Sequence, residues 1–346
     1  MQESLIVDEV DLALMHALQI APRAPWTLVG QVLGINPVTA ARGWQRLTDQ
    51  QLAWVTCYPG QGLATRHVVA FVEADCEPAA RHRLVETLVR DPRVATVEVI
   101  ASGRDLFLTM FIADLRALSR FLLDELSVLP GVRGTRTQLG TGIYAHGAGW
   151  RLDALNADQT ERISRAAPPQ PAGHDVPAPA VRELLLALGQ DGRRSATQLA
   201  ESAGASPSTI RRRLSRIERE QLLSFRCEVA NVVSGWPVIA TFWASVPPND
   251  LGKTAQAVAG LPGVRLCTAV TGASNLIITM WLRSLADSQR IEQLLSQHFP
   301  DLVLNDRAVA LRVAKRMGRL LDDVGRSTGV VPIDPWYVPT GSTTVE

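Results

Sequence analysis

Apolar positions along the chain follow two alternating periods, and the alternation occurs twice. In the second half, Val181, Leu184, Leu185 and Leu188 share one face of a predicted first helix, which Gly189, Asp191 and Gly192 end. Ser195 N-caps a short second helix over 196–203, and Gly204 supplies a tight turn. Ser206 caps a third helix with Pro207 at its first position, where a missing amide proton costs nothing. Ile210, Leu214 and Ile217 repeat at helical spacing as its scaffold stripe. A short strand is predicted near Val229–Val233, and the period then falls to two. Strand Val238–Val246, helix Asp250–Ala259, strands Val264–Thr271 and Asn275–Leu282, helix Ser284–His298 and strand Leu302–Val313 follow. The first half reads likewise, as His67–Glu73, Glu77–Arg90, Val94–Ala101, Asp105–Ile112, Leu115–Leu126 and Val132–Leu139. This βαββαβ order is ferredoxin-like, with helices on one sheet face. The other face needs solvent or a second sheet, and a second sheet makes a dimer.

The two halves align without a gap at an offset of 170 residues. Leu18 falls on Leu188, Gly34 on Gly204, Pro37 on Pro207, and Thr39 on Thr209. The register holds at Pro92 and Pro262, at Thr109-Met110 and Thr279-Met280, and at Pro130 and Pro300. One offset held over more than a hundred residues implies duplication and fusion. The expected class is α+β, with two tandem units, each a winged-type helix-turn-helix followed by a ferredoxin-like domain. The expected domains are 1–60 and 179–232 (helix-turn-helix) and 64–146 and 235–316 (ferredoxin-like). A Pro/Ala-rich linker over 147–178 and a C-terminal helix and tail over 317–346 complete the chain.

The third helix of the second unit carries the clearest chemistry. Ser206, Ser208, Thr209, Arg211, Arg212, Arg213 and Arg216 lie off its scaffold stripe. Arginine pairs bidentately with guanine or holds phosphate, and hydroxyls suit base edges or phosphate. An arginine cluster alone is usually a solvated face; cap, turn glycine and apolar register together favour a recognition helix. In the first unit Asn36, Thr39, Arg42, Gln45 and Arg46 occupy the matching surface, with Ala41 and Gly43 in place of Arg211 and Arg213. Gly43 inside a helix costs about 1 kcal/mol relative to alanine. Weaker or different DNA contact is expected there. A formal net charge of +1 argues against a protein that coats nucleic acid, and leaves room for a local basic patch. Cys57, Cys76, Cys227 and Cys267 form no Cys-x-x-Cys pair, and the histidines form no spaced ligand pair, so neither a metal nor a cofactor is expected. No secretion signal and no apolar run of about 18 residues is visible, which predicts a cytoplasmic protein without a membrane span.

The segment Ser206-Pro-Ser-Thr-Ile-Arg-Arg-Arg-Leu-Ser-Arg-Ile217, followed by a βαββαβ domain with a Gly-containing hairpin, resembles the Lrp/AsnC family of feast/famine regulators. The resemblance covers nearly the whole chain, twice, in what looks like the tandem form of that family. It implies a RAM/AsnC-type second domain, double-stranded DNA as partner and an amino acid or related small molecule as effector. It also implies a homo-oligomer or an intrachain pseudo-dimer, with no enzymatic activity. Carried over by position, the effector residues are Gly103, Arg104 and Asp105, and Gly272, Ala273, Ser274 and Asn275. Asn275 stands where the family has an acidic residue. Siroheme decarboxylases share the architecture and rely on histidines and basic residues. His67, His82 and His298 are not equivalent across the halves, and no acid–base constellation is visible, which weighs against that alternative. A sensor with one vestigial DNA-binding unit is the other alternative. Divergence of the two third helices, with the scaffold retained, predicts a pseudo-dimer that reads two unlike half-sites.

Overall fold

The computed structural model of the protein describes residues 7–63, 66–147, 151–165 and 178–339. The first half runs α1 (Glu9–Ile20), α2 (Trp26–Leu33), α3 (Pro37–Asp49), β1 (Ala53–Pro59), β2 (Val68–Cys76), α4 (Arg81–Leu88), β3 (Val94–Ala101), β4 (Leu106–Ile112), α5 (Leu115–Arg120) and β5 (Val132–His146). After α6 (Ala157–Ser164) the order recurs: α7 (Ala178–Gln190), α8 (Ala196–Ala203), α9 (Pro207–Arg219), β6 (Leu223–Val229), a short α10 (Asn231–Ser234), β7 (Val238–Ser245), α11 (Leu251–Ala259), β8 (Val264–Val270), β9 (Leu276–Leu282), α12 (Ala286–His298) and β10 (Val303–Arg316). Gly34 and Gly204 end α2 and α8 at φ 70° and 57°, the left-handed conformation that glycine adopts without a steric penalty.

The strand expected near Val229–Val233 is instead β6 over 223–229, followed by the helical turn α10. Antiparallel pairing with β1 sets its position, Thr56 lying opposite Arg226 and Cys57 opposite Phe225. Residues that match at the 170-residue offset, Thr56 and Arg226, thus face each other on a pseudo-twofold axis. Arg23 and Arg193, another matching pair, exchange contacts about that axis. Arg23 donates to the carbonyls of Gly192 and Arg194, and Arg193 donates to those of Pro22 (2.6 Å) and Ala24 (2.8 Å). Reciprocal contacts of this kind are the signature of an isologous interface.

The two ferredoxin-like sheets join into one. Its strands run β10-β3-β4-β2-β5-β8-β9-β7, and β7 returns to β10, closing a ring. Two long strands make the crossings. β5 pairs with β2 up to Leu139 and with β8 from Gly140, and β10 pairs with β7 up to Val309 and with β3 from Val309 onward. Period-two alternation decides which side chain goes where. From β2 and β4, Ala70, Val72, Leu106, Leu108 and Met110 pack outward under α4 and α5. Phe71 and Phe107 point inward, where they meet Trp243 and Ile277 of the other sheet. Burial of each large apolar side chain there stabilises the pairing by about 2 kcal/mol.

Sequence periodicity ends β5 at Leu139, yet the strand continues to His146 because β8 of the other half pairs with it. Past Arg316 the expected C-terminal helix is instead a pair of strands, β11 (Arg319–Leu321) and β12 (Ser327–Val330), added to the edge of β10. The expected 147–178 linker contains α6, docked on the first helix-turn-helix through Leu152, Leu155 and Ile163; its Pro/Ala-rich stretch 166–177 lies outside the described residues. No helix among the described residues is long and apolar enough to cross a membrane.

His16 holds this clasp. Its Nδ1 accepts the backbone N–H groups of Ala154 (3.1 Å) and Leu155 (3.0 Å), a role open only to neutral imidazole. Burial, with Arg151 adding to it, pushes His16 down to about 4. Since the folded value lies below the unfolded one of about 6.5, the unfolded chain binds the extra proton first. Stability contributed by His16 is therefore present above pH about 6.5 and is lost as pH falls toward 4. A denaturant titration at pH 7 and pH 5 should show this loss in the wild type, and His16→Phe should flatten it.

Candidate functional site: a basic helix and a central cavity

Two places carry chemistry. The first is α9. Ser206 accepts the Thr209 N–H (3.1 Å) and fixes the start of the helix. Ile210, Leu214 and Ile217 are buried against α7 and α8, which turns the remaining faces outward. Ser206, Ser208, Arg211 and Arg212 are exposed and Thr209, Arg213 and Arg216 half-buried. Arg216 is engaged by Glu220 (2.8 Å). Arg211, Arg212 and Arg213 have no partner among the described residues.

The matching surface of α3 differs. Asn36 caps the helix through the Val38 N–H (2.8 Å), and Thr39 and Arg42 are exposed. Gln45 donates to Asp49 (2.8 Å). Arg46 pairs at 2.5 Å with Asp11, whose side chain is buried and also closes the capping box of α1. Arg46 therefore belongs to the scaffold as much as to any DNA surface. Gly43 has a packing reason: a Cβ there would stand 3.3 Å from Leu14, so the glycine lets α3 approach α1.

The two hairpins lie apart from the cavity described below. Asp105 accepts the Cys76 N–H (2.7 Å) and pairs with Arg81. Its counterpart Asn275 clamps Val246 through both N–H (2.9 Å) and carbonyl (2.7 Å). Arg104 pairs with Glu73 in its own half and crosses to the other, pairing with Asp306 and lying 4.9 Å from the Trp243 ring centre. Ser274 is buried against Asn305 (2.9 Å). Gly103, Gly272 and Ala273 are exposed.

The second place is a cavity of about 750 Å³ inside the ring of strands. Phe71, Phe107, Phe111 and Trp281 supply apolar walls, and Thr109 and Thr279 line it from matching positions. Its floor is polar and unlike in the two halves. Tyr58 on β1 and His146 at the end of β5 meet at 3.1 Å between Oη and Nδ1. The matching residues, Glu228 and Arg316, form an ion pair at 3.2 Å. Arg265 adds two hydrogen bonds to Glu228 (3.0 and 3.1 Å), and Arg226 pairs with it as well. Burial alone would raise the Glu228 carboxyl, but the three guanidiniums hold it down to about 2. Burial, together with the other two guanidiniums and against Glu228, pulls Arg265 down to about 9. Burial also pushes His146 down to about 4 and Glu98 up to about 7. Burial pulls His67, on the wall, below its ordinary value against an opposing contribution from the Leu63 backbone, and its Nδ1 has no hydrogen-bond partner. Sequence reasoning weighed His67 but passed over His146, because only pairing with β8 draws the end of β5 into the floor. Arg226, Arg265 and Arg316 were missed too, since each reads as an isolated strand arginine. Among the described residues no group of three or more His, Cys, Asp or Glu is arranged to hold a metal.

Comparison with known proteins adds two kinds of likeness. The Lrp/AsnC ligand binding domain family matches residues 69–144, and the AsnC-type helix-turn-helix domain family matches residues 182–218. Uncharacterised HTH-type transcriptional regulators of Pyrococcus abyssi and Pyrococcus horikoshii are 26% and 25% identical over 142 residues, 41% of this chain and 90% of theirs. Among solved structures, the siroheme decarboxylase NirDL overlays on 90% of this chain and 93% of its own, with a TM-score of 0.58 at 14% identity. Its complex with an iron-uroporphyrin III analogue overlays with a TM-score of 0.57. At such identity the likeness concerns the fold.

The unequal engagement of α3 has a measurable consequence. Arg46→Ala should lower the stability of the first helix-turn-helix by about 1 kcal/mol, because half-exposed Arg46 compensates a buried carboxylate. Arg42→Ala should change it by less than about 0.5 kcal/mol. Denaturant melts of the two variants distinguish them.

Proposed function

We propose that the chain, in which an Lrp/AsnC ligand binding domain and an AsnC-type helix-turn-helix domain are matched, is a transcriptional regulator that reads double-stranded DNA mainly through α9. Control comes from a small molecule held in the central cavity. One observation carries the reading: Arg211, Arg212 and Arg213 project unpartnered from a helix whose opposite stripe is packed on its scaffold. In a major groove such residues meet phosphates and base edges without first breaking an internal contact. Duplication and fusion of a single-unit ancestor is part of the proposal. So is an intrachain pseudo-dimer whose α3 and α9, through Asn36, Thr39, Arg42, Gln45 and Arg46 on one side and Ser206 to Arg216 on the other, meet unlike half-sites. A cytoplasmic location fits four cysteines that are all free and buried. Of the seven hairpin residues carried over from the resemblance, an effector, an amino acid included, would find Gly103, Gly272 and Ala273 exposed and Arg104, Asp105, Ser274 and Asn275 already engaged.

A second reading draws on the cavity itself. His67, His146 and three arginines gather in one chamber, and a structure of the same fold is described with an iron-uroporphyrin III analogue. Adding iron-uroporphyrin III to the purified protein and recording its absorbance tests this: a saturable spectral change followed by decarboxylation would replace the regulator reading.

Gel shifts on the DNA upstream of the protein's own coding sequence test the main reading. Arg212→Ala should cost about 1–3 kcal/mol if it contacts a base, with discrimination relaxed at one position. Loss that is even across sequences, with a shallower salt dependence, would assign it to phosphate. Unchanged binding after Arg211, Arg212 and Arg213 are all replaced by alanine would remove α9 as the reading element.

A further inference from the structure

The two halves differ in charge on the floor of the cavity. At the four matching positions the first half has Thr56, Ala95, His146 and Tyr58, and the second has Arg226, Arg265, Arg316 and Glu228. Three buried guanidiniums pair with Glu228, and Glu98, the one carboxyl that lines the chamber among the described residues, is pushed up to about 7, so this end has an excess of positive charge. Arg226, Arg265 and Arg316 all line the chamber, whereas Glu228 is fully buried behind them. Gly147 keeps the cluster open: a Cβ there would stand 3.1 Å from the Arg265 guanidinium carbon and closer still to Arg226. On the wall, His67 is 7% exposed and its Nδ1 has no partner. A buried polar atom left unpaired is costly, and a ligand that pairs it removes that cost. Between the floor and that atom the walls are aromatic, and Arg265 itself lies over the Trp281 ring at 4.1 Å.

We propose that the cavity binds one organic carboxylate per chain, its anionic group on Arg226, Arg265 and Arg316, its apolar or aromatic body along Phe71, Phe107 and Phe111, and a polar substituent on His67. This rests on the reading of the cavity as the effector site and names the effector's class. The asymmetry fixes stoichiometry and orientation, because an identical pair of units would present two such floors or none.

The test compares naphthoate with its neutral amide, naphthamide, by calorimetry on the full chain; iron-uroporphyrin III serves as a polycarboxylate arm. The wild type should bind naphthoate at one site per chain and at least about tenfold tighter than naphthamide. Arg265→Met leaves Glu228 with two partners and should erase most of that preference. Glu98→Gln removes a carboxyl that lines the same chamber and should tighten naphthoate about threefold. If only iron-uroporphyrin III binds, and Arg265→Met weakens it, the carboxylate class stands and the ligand is the larger one. Equal binding of naphthoate and naphthamide, a preference untouched by Arg265→Met in a protein that melts like the wild type, or no binding of any probe overturns the proposal. Anion binding without DNA binding would defeat the regulator reading and leave this one; DNA binding without a charge preference would do the reverse.

Discussion

Each ferredoxin-like sheet has one face covered by its own helices and one apolar face that nothing in its own half covers. Phe71 and Phe107 on one sheet, and Trp243 and Ile277 on the other, have to leave water together. The long strands β5 and β10 make this possible, since each begins its ladder in one sheet and finishes it in the other. Closure also removes the free edges that would otherwise invite other strands. Aromatic residues fill the middle of the ring where the sheets approach. Toward the ends of β5 and β10 the inward positions change to Thr, His and Arg, and the interior opens into the cavity. The chamber is thus a consequence of how the ring closes.

The polar floor does not owe its presence to stability. Pairing more than offsets the desolvation of Glu228, but the guanidiniums carry a cost, Arg265 being pulled down to about 9. The chain contains its own control, because the matching positions hold the neutral pair Tyr58 and His146 in the same backbone frame. A neutral solution therefore fits that frame, and the charged one needs a reason outside folding. The outer surfaces of α3 and α9 diverge in the same manner. On α3 the arginine position 213 becomes Gly43, which packs on Leu14, and Arg46 turns to Asp11. Such one-sided changes are open to a fused chain and closed to a homodimer, where every substitution appears twice.

Local patterns made the helix-turn-helix units legible. Ser206, Pro207, Gly204 and the Ile210, Leu214, Ile217 stripe each report on residues a few positions away, so α9 could be read with its boundaries. The βαββαβ order was legible for the same reason. The cavity was not, because its parts come from both halves. The stretch Gly140-Thr-Gly-Ile-Tyr-Ala-His146 has glycines where a strand wants branched residues, and only the partner strand β8 makes it extended. Arg226, Arg265 and Arg316 lie 39 to 90 residues apart in sequence and meet through sheet closure around Glu228. The hairpin residues stood out by composition, yet Asp105 and Asn275 turn out to tie the hairpins to Cys76 and Val246. A Gly-plus-Asx turn signals local geometry first.

The cavity and the two helix-turn-helix units share one element, the β1–β6 ladder. Tyr58, Ser224 and Arg226 line the chamber from that ladder, and Cys57, Cys227 and Val229 on the same two strands pack into the cores of the helix-turn-helix units. Arg316 reaches from the floor to the Val229 carbonyl (2.9 Å) and to Asn231 (2.7 Å), just where β6 ends. A ligand changes a distant equilibrium only through contacts that differ between two arrangements. An anion on Arg226 and Arg316 would compete with Glu228 for the guanidiniums that tie this ladder to β10. The pseudo-twofold axis passes through the ladder at Thr56 and Arg226, and the Arg23/Arg193 exchange lies about the same axis, so a change in the ladder's twist would alter the spacing of α3 and α9. Spacing is what a two-headed reader of DNA must hold within narrow limits. On the proposed reading an anion held there would have a short covalent route to that spacing, since α9 ends at Arg219, seven residues before Arg226.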